Sequence, residues 1–277
     1  MLLERSCVTI PMETTQERQN TMLTANYHTH TFRCRHAAGT EREYIETAIA
    51  AGMKTLGFSD HCPQLFPGEY YSDFRMYPHE AEEYAAVLSA LREEYTGRIA
   101  IKIGYEVEYY PDLFGNLLTL IRRFPCDYII LGQHFLDNET TRRYSGRKNE
   151  DESYLAAYVD QVCDAMRTGY FTCIAHPDLQ NYTGPAEIYR REYSRLIRCA
   201  METGTPLEIN LLGIRGKRHY PNETFWALAG EMGADTVIGC DAHEACALAD
   251  EASLAAAMEL VSRYSLRLTE PILKGIS

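Results

Sequence analysis

The chain has 277 residues, a formal net charge of −12 and 45% apolar residues, which is enough material for one large α/β domain or two ordinary ones. The acidic balance argues against nucleic-acid binding, because phosphate would repel the chain unless cations intervened. No apolar run is long enough to cross a membrane, and residues 1–20 lack the features of a signal peptide. The nine scattered cysteines include no C-x-x-C pair and predict reduced thiols in the cytoplasm.

Residues 1–21 are polar and show no periodicity, so we expect a flexible N-terminal extension followed by a single domain over 22–277. In that domain, short apolar runs typical of strands alternate with amphipathic runs of helical length. The predicted strands are 25–30, 55–61, 99–109, 127–135, 170–178, 206–213 and 234–243. Clear helices between them are predicted at 40–52, 79–95, 152–169 and 187–204.

Strand–helix units in succession predict parallel strands joined by right-handed crossovers. An open doubly wound sheet would also satisfy this order. The polar residues at the strand ends favour a closed barrel instead, with one strand fewer than the eightfold (β/α) type. No linker or repeat divides the chain, so we expect one α/β barrel domain.

Most of the histidines lie at or just past the C-terminal ends of predicted strands. The first three occur within the eleven residues "NYHTHTFRCRH", and the full set is His28, His30, His36, His61, His134, His176 and His243. Glu106 and Asp241 end the third and seventh predicted strands in the same way. Because these ends converge on one face of a parallel barrel, we expect all nine side chains at one mouth.

Such a cluster predicts a metal centre. Few of these imidazoles could be protonated together without repulsion, whereas nitrogen and carboxylate ligands without thiolate suit zinc, manganese or iron. Nine ligands are too many for one ion and could complete two or three, with Glu106 as the natural bridge. His28 and His30 can share an ion, since alternate residues of a strand point to one face. Any one of these histidines alone would more often be an ordinary surface or core residue.

The motifs "HTH", "SDH", "GYEVE", "GQHF", "AHPD" and "CDAH" resemble those of the polymerase-and-histidinol-phosphatase (PHP) superfamily, from about residue 24 to the end of the seventh strand. The resemblance implies a distorted (β/α)7 TIM-like barrel with a trinuclear site. It implies three ligand groups: His28, His30, Glu106 and Asp241; then Glu106, His134 and His176; then His36, His61 and His243. The stretches "GYEVEYYPD", "LGQHFLD" and "YPN" resemble the histidinol-phosphatase branch.

The resemblance further implies a metal-dependent phosphomonoesterase, with L-histidinol phosphate as the expected substrate and a hydroxide bridging two ions as the nucleophile. Glu106, Asp241 and His243 are the expected catalytic residues, and Asp241 or a metal-bound water is the expected proton donor. Arginine forks suit phosphate, and the candidates after strands four and six are Arg142, Arg143, Arg147, Arg215 and Arg218.

The ammonium and imidazole of such a substrate need acceptors, for which Glu108, Asp137 and Asp178 are candidates. Asp60 is expected to orient a neighbouring ligand. Of the remaining histidines, His79 is expected on a helix surface, and His219 beside the pocket without being a ligand.

Other interpretations stay open. The chain could be another PHP phosphoesterase, acting on nucleotides, sugar phosphates or phosphotyrosine, or a non-catalytic metal-binding accessory domain. An amidohydrolase-like barrel also uses H-x-H on its first strand. It is less favoured, because Lys54 and Lys102 do not lie at strand ends, where that family often places a bridging lysine.

Overall fold

A computed structural model describes residues 22–276, so the predicted extension over 1–21 lies outside the described residues. The strands form one parallel sheet in chain order. They are β1 (Ala25–Asn26), β2 (Thr55–His61), β3 (Ala100–Val107), β4 (Tyr128–Leu131), β5 (Phe171–Ile174), β6 (Leu207–Asn210), β7 (Asp235–Gly239) and β8 (Arg267–Leu268). No helix within 22–276 is long and apolar enough to span a membrane.

The helices lie between the strands, as the alternating pattern predicts. They are α1 (Glu41–Ala50), α2 (Ala81–Glu94), α3 (Pro111–Ile121), α4 (Glu152–Arg167), α5 (Ala186–Thr203), α6 (Leu211–Arg215), α7 (Glu223–Met232) and α8 (Glu251–Arg263). Short 3-10 helices occur at Phe32–Cys34, Pro78–Glu80, Glu139–Thr141 and Ala245–Ala249. At the start of α1, Thr40 and Glu43 form a capping box.

The two edges of the sheet meet at the C-terminal ends of the strands. Thr29, just past β1, forms a parallel bridge with Ala242, just past β7, and the His30 N–H donates to the Ala242 carbonyl at 2.9 Å. At the opposite end of β7, Asp235 and Thr236 pair with β8 instead. The expected seven-stranded TIM-like barrel is therefore confirmed, with one short strand added.

The sequence analysis missed β8, which has two residues, both exposed. A strand this short has no alternation of apolar and polar residues from which it could be predicted. Six of the seven predicted strands were also too long, and only 55–61 keeps its predicted bounds. The others shorten to Ala25–Asn26, Ala100–Val107, Tyr128–Leu131, Phe171–Ile174, Leu207–Asn210 and Asp235–Gly239. The residues beyond the ends of β4 and β5 are loop residues that carry site side chains.

Glycines at two strand ends make room for carboxylates in the barrel. A Cβ on Gly132, just past β4, would lie 1.9 Å from Glu106 Oε1. A Cβ on Gly239, at the end of β7, would lie 1.7 Å from Glu208 Oε1. Any larger residue at either position would displace a buried carboxylate, so these glycines help to place the site.

Candidate metal centre

The structure brings all nine predicted ligands together at the C-terminal face of the barrel. His28 and His30 follow β1, His61 ends β2, and Glu106 lies in β3. The others lie on the connections that follow β1, β4, β5 and β7: His36, His134, His176, Asp241 and His243. Six of the nine are buried, at 5% exposure or less, namely His28, His30, His61, Glu106, His176 and Asp241.

The carboxylate of Glu106 lies between two sets of side chains. Its Oε2 is 3.6 Å from the Nε2 atoms of both His28 and His30. Its Oε1 is 3.0 Å from His176 Nε2 and 3.6 Å from His134 Nε2. One oxygen therefore faces each set, which is the geometry of a carboxylate that bridges two cations.

Asp241 completes the first of these sets. Its Oδ1 lies 3.5 Å from His28 Nε2 and 3.2 Å from His30 Nε2. Its Oδ2 accepts a hydrogen bond from Asn210 Nδ2 at 3.0 Å. Glu106 Oε2 and Asp241 Oδ1 thus each lie within 3.6 Å of the Nε2 atoms of His28 and His30. The set has four members, the number of ligands that zinc prefers.

A third set is formed by His36, His61 and His243, each of which offers a ring nitrogen within 4.8 Å of the others. The Nε2 atoms of His36 and His243 are 2.9 Å apart. His61 also directs Nδ1 toward Glu106 Oε2 at 3.0 Å. His61 therefore connects the third set to Glu106, which the first two sets share.

Several polar atoms of the centre are buried without a hydrogen-bond partner. They are His28 Nε2, both ring nitrogens of His30, His61 Nδ1, Glu106 Oε2 and His176 Nδ1. A buried polar atom left unpaired costs about 1–3 kcal/mol, and such atoms are rare in folded proteins. Divalent cations would give partners to His28 Nε2, His30 Nε2 and Glu106 Oε2 among these atoms, and the mixed nitrogen and oxygen set suits zinc, manganese or iron. The residues present therefore fit a metal centre.

The electrostatics hold both carboxylates and three of the imidazoles in the state that binds metal, whereas nearby carboxylates raise the pKa values of His28, His30 and His134. Burial lowers the pKa of His61 well below its ordinary value, and burial together with the neighbouring His30 lowers the pKa of His243 to about 3. Burial would also lower the pKa of His30, but the neighbouring carboxylates of Asp241 and Asp60 raise it to about 9. Burial opposes ionisation of Glu106, yet the surrounding histidines hold its pKa well below the usual range. Neutral imidazoles and ionised carboxylates are the forms that ligate metals.

Carboxylates behind the ligands fix their rings. Glu208 Oε1 lies 2.9 Å from His28 Nδ1, and Glu208 Oε2 accepts the backbone N–H of His176 at 3.1 Å. Asp60, expected to orient a ligand, accepts the His61 N–H at 2.9 Å and lies 3.5 Å from His30 Nδ1. Such contacts set the ring orientation and leave the other nitrogen for the metal.

Glu208 was missed in the sequence analysis because only histidines and strand-end carboxylates were considered. A signal was present, since the sixth strand was the one predicted strand without a predicted metal ligand. In "LEIN", Glu208 and Asn210 alternate with apolar residues and so share one face of β6. Both now support ligands from inside the barrel.

Two ligands are held in uncommon backbone conformations. His176 has φ 31° and Asp241 has φ 45°, in or near the left-handed region that residues other than glycine rarely adopt. Such strain is tolerated where the surrounding structure over-determines it, typically at functional sites. Here both residues follow a strand end directly and turn their side chains back over the barrel mouth.

A cavity of about 570 Å³ opens above the centre. Its floor consists of candidate ligands: His36, His61, Glu106, His134, His176, Asp241 and His243. Its walls are aromatic, aliphatic and charged: Asp73, Phe74, Phe135, Tyr144, Leu179, Leu212, Arg218 and Tyr220. The cavity is therefore large enough for a small organic molecule and places it directly on the candidate metal ligands.

Only Arg218 of the five predicted phosphate-binding arginines lines this cavity. Arg143 pairs with Asp137 across an exposed loop. Arg215 pairs with Asp250 and donates to the carbonyls of Cys240 and Asp241. Arg142 and Arg147 are exposed outside the lining. The structure therefore narrows the phosphate-binding prediction to Arg218.

The acceptors predicted for the organic part of a substrate do not line the cavity. Both oxygens of Glu108 are taken by protein groups, His134 Nδ1 and Arg75. Asp178 is buried, at 2% exposure, and accepts the backbone N–H of Asn222. Glu108 therefore contacts His134 and Arg75 and does not line the cavity. Asp73, which the sequence analysis missed, is the lining carboxylate that is not a candidate ligand.

Of the two remaining histidines, His79 lies on a helix surface as expected, and His219 is not among the residues that line the cavity. His79 is exposed in the 3-10 helix before α2 and stacks on Tyr77. His219 Nε2 lies 2.7 Å from the carbonyl of Leu179. Because a carbonyl only accepts, that ring nitrogen carries the proton and is not free to bind a metal.

The barrel and the histidine-rich centre together define an α/β-barrel protein with a candidate site for several metal ions. The chain belongs to the PHP domain family, a sequence model of which matches residues 26–211.

A probable histidinol-phosphatase of Deinococcus radiodurans is 32% identical over 228 residues, covering 78% of this chain and 85% of that protein. The histidinol-phosphatase of Bacillus subtilis is 25% identical over 253 residues, covering 79% of this chain and 92% of that one. The structure of histidinol phosphate phosphatase from Lactococcus lactis, complexed with zinc, L-histidinol and phosphate, has a TM-score of 0.69 at 21% identity. The superposition covers 92% of this chain and 98% of the Lactococcus lactis chain. This likeness shows that the two chains share a fold.

Proposed function

We propose that this chain is a metal-dependent phosphomonoesterase that hydrolyses L-histidinol phosphate to L-histidinol and phosphate. Membership of the PHP domain family and 32% identity to a probable histidinol-phosphatase support the substrate. The observation that carries the proposal is the position of Glu106, whose two oxygens face separate sets of imidazoles on the floor of an open cavity. Two cations held close together in this way suit the hydrolysis of a phosphate ester.

Three groups of side chains would hold the ions. The first is His28, His30, Glu106 and Asp241, the second is Glu106, His134 and His176, and the third is His36, His61 and His243. When bound, zinc, manganese or iron would activate water and neutralise phosphate charge. Because Asp241 accepts from Asn210 through one oxygen and faces His30 with the other, we assign it as a ligand and assign protonation of the leaving alkoxide to water.

Arg218 is the residue that we assign to the phosphate dianion. Its Nη1 donates to Tyr220 Oη at 2.6 Å, which orients the guanidinium along the cavity wall. No carboxylate within 22–276 forms an ion pair with it, although most arginines of the chain are paired in that way. Its other N–H groups therefore remain available to phosphate oxygens.

Asp73 is the residue that we assign to the cationic end of the substrate. It is the cavity carboxylate outside the ligand groups, and an ammonium or imidazolium group needs such an acceptor. Phe74 and Phe135 beside it stack with ring centroids 5.8 Å apart and offer apolar faces to a planar ring. Phosphate at Arg218 and cation at Asp73 would place the ester bond over the metal ligands.

We place the enzyme in the cytoplasm. All eight cysteines within the described residues are free thiols, and six of them are buried. Free thiols are typical of proteins that work in a reducing compartment.

A substrate panel tests the proposal. Protein purified without oxygen, loaded with zinc, manganese or iron and checked by elemental analysis would be assayed for phosphate release from L-histidinol phosphate, 5′-nucleotides, sugar phosphates and phosphotyrosine. We expect the highest kcat/KM with L-histidinol phosphate. A higher value with any other substrate would make the chain a PHP phosphoesterase of different specificity. No turnover of any phosphomonoester by fully loaded protein would leave only a metal-binding role.

A further inference from the structure

A second buried charge cluster lies beside the metal centre. Arg75, on the connection between β2 and α2, donates hydrogen bonds to Glu108, just past β3, and to Glu139, on the 3-10 helix after β4. All three are 2% exposed or less. We call these three residues the Arg75 cluster. It joins three separate connections at the C-terminal face of the barrel.

The cluster reaches the metal centre through one carboxylate. Glu108 Oε2 accepts from Arg75 Nη2, and Glu108 Oε1 lies 3.0 Å from His134 Nδ1. When Nδ1–H donates to this oxygen, the lone pair is on His134 Nε2, which faces Glu106 Oε1 at 3.6 Å. Arg75 thus touches no candidate ligand and is separated from His134 by a single side chain.

The same arginine also holds the cavity wall. Its guanidinium lies 4.5 Å from the centroid of the Phe74 ring. That ring lies 5.3 Å from the ring of His61 and 6.2 Å from that of His134. Glu139 in turn accepts from Tyr70 Oη at 2.7 Å. A change at Arg75 therefore alters the ligand His134 and the wall beside it together.

We propose that Arg75 is a positioning residue that sets the affinity for the ion held by Glu106, His134 and His176. The planar guanidinium fixes both carboxylates of its cluster, so that Glu108 presents one oxygen to His134 in a single orientation. Ion binding at this site and the order of the connection between β2 and α2 are coupled through this contact. The inference rests on the ligand groups of the proposed function and is independent of the substrate.

Metal retention tests it directly. Zinc-loaded protein would be dialysed against graded concentrations of a chelator, and the zinc remaining per chain would be measured by elemental analysis. We expect Arg75→Met to lose one ion at an affinity about 10–100-fold weaker than the unchanged protein, as other residues that support ligands do. The remaining ions should be retained as before. Arg75→Lys should show an intermediate loss of the same ion, because an ammonium cannot hold both carboxylates in one plane.

Glu192→Gln is the matched control. Glu192 is also a buried carboxylate, at 3% exposure, and it is also held by arginines, Arg191 and Arg195 on α5. It contacts no candidate ligand. This variant should lose stability without changing zinc retention, which separates a general packing effect from a specific effect on one ion.

His134→Ala separates an error in the proposed ligand groups from an error in the proposed role of Arg75. If His134→Ala retains every ion, the proposed ligand groups are wrong. If His134→Ala loses one ion while folded Arg75→Met retains all of them at unchanged affinity, the positioning role is overturned and the proposed function stands. Should Arg75→Met not fold, Arg75→Lys decides, and unchanged retention in that variant overturns the role.

Discussion

The metal centre and the Arg75 cluster are both buried, both charged and in direct contact, yet they differ in how their polar atoms are paired. Each carboxylate and guanidinium group of the Arg75 cluster has a protein partner. In the metal centre, ring nitrogens of His28, His30 and His61 and one oxygen of Glu106 have none. A buried network is stable when fully satisfied and costly when it is not. The Arg75 cluster is therefore complete within the chain, whereas the metal centre is built to be completed by cations.

The largest effect is expected from the residue that joins the ligand sets. Glu106→Gln should lose about one ion per chain and lower kcat/KM by more than the roughly 100-fold limit seen for residues behind the ligands, because a neutral amide cannot bridge two cations with two anionic oxygens. Elemental analysis and kinetics on the same preparation would measure both. Unchanged metal content in this variant would contradict the bridging role.

The next largest effect is expected at Arg218, on the cavity wall. Arg218→Met should reduce kcat/KM by about 10–100-fold, since hydrogen bonds to charged groups contribute roughly 1.5–3 kcal/mol. Inhibition by inorganic phosphate should weaken in parallel, with metal content unchanged. Arg142 is exposed and lies outside the cavity, so Arg142→Met is the control. Its kcat/KM should stay within about twofold of that of the unchanged protein. Equal losses in the two variants would argue against a phosphate contact.

A smaller and more selective effect is expected at Asp73. Asp73→Asn should raise the KM for L-histidinol phosphate about tenfold, in line with the loss of one charge-assisted hydrogen bond. It should leave hydrolysis of p-nitrophenyl phosphate nearly unchanged, because that substrate carries no cation. Asp137→Asn, which removes an exposed partner of Arg143, serves as the control. A parallel change for both substrates would rule out recognition of the cationic end.

The smallest effect is expected at His219, which lies near the centre but outside the ligand groups. His219→Gln should keep the full metal content and change kcat/KM by no more than about threefold, because its Nε2 is engaged with the Leu179 carbonyl and surface substitutions are usually mild. Elemental analysis and kinetics on the same preparation would check both. Loss of an ion would show that His219 is a metal ligand and that the proposed ligand groups are incomplete.

The residues of the candidate metal centre could be singled out from the sequence because their pattern is local. An H-x-H pair after a strand, or an aspartate two residues past the end of a strand, indicates side chains at the face where parallel strands end. Glu208 could also have been found, from its alternation with apolar residues in β6. The barrel could be predicted from the alternation of strands and helices, because that pattern is also local.

Apart from Asp60, which was expected to orient a ligand, the residues that we assign to supporting the ligands or binding substrate could not be singled out in this way. Arg75 and Asp73 lie on the connection between β2 and α2, and nothing in their sequence neighbourhood indicates which strands that connection covers. The role of Glu108 depends on Arg75 and His134, which are distant in the chain. Which arginine lines the cavity likewise depended on how two loops fold over the mouth, so only the structure could separate Arg218 from the others.

The central claim is that Glu106 lies between two cations, and anomalous X-ray scattering from crystals of zinc-loaded protein tests it most directly. Data collected on either side of the zinc absorption edge would locate each ion. We predict a peak on each side of the Glu106 carboxylate, one beside His28 and His30 and one beside His134 and His176. A single peak, or none at this carboxylate under saturating zinc, would contradict the account.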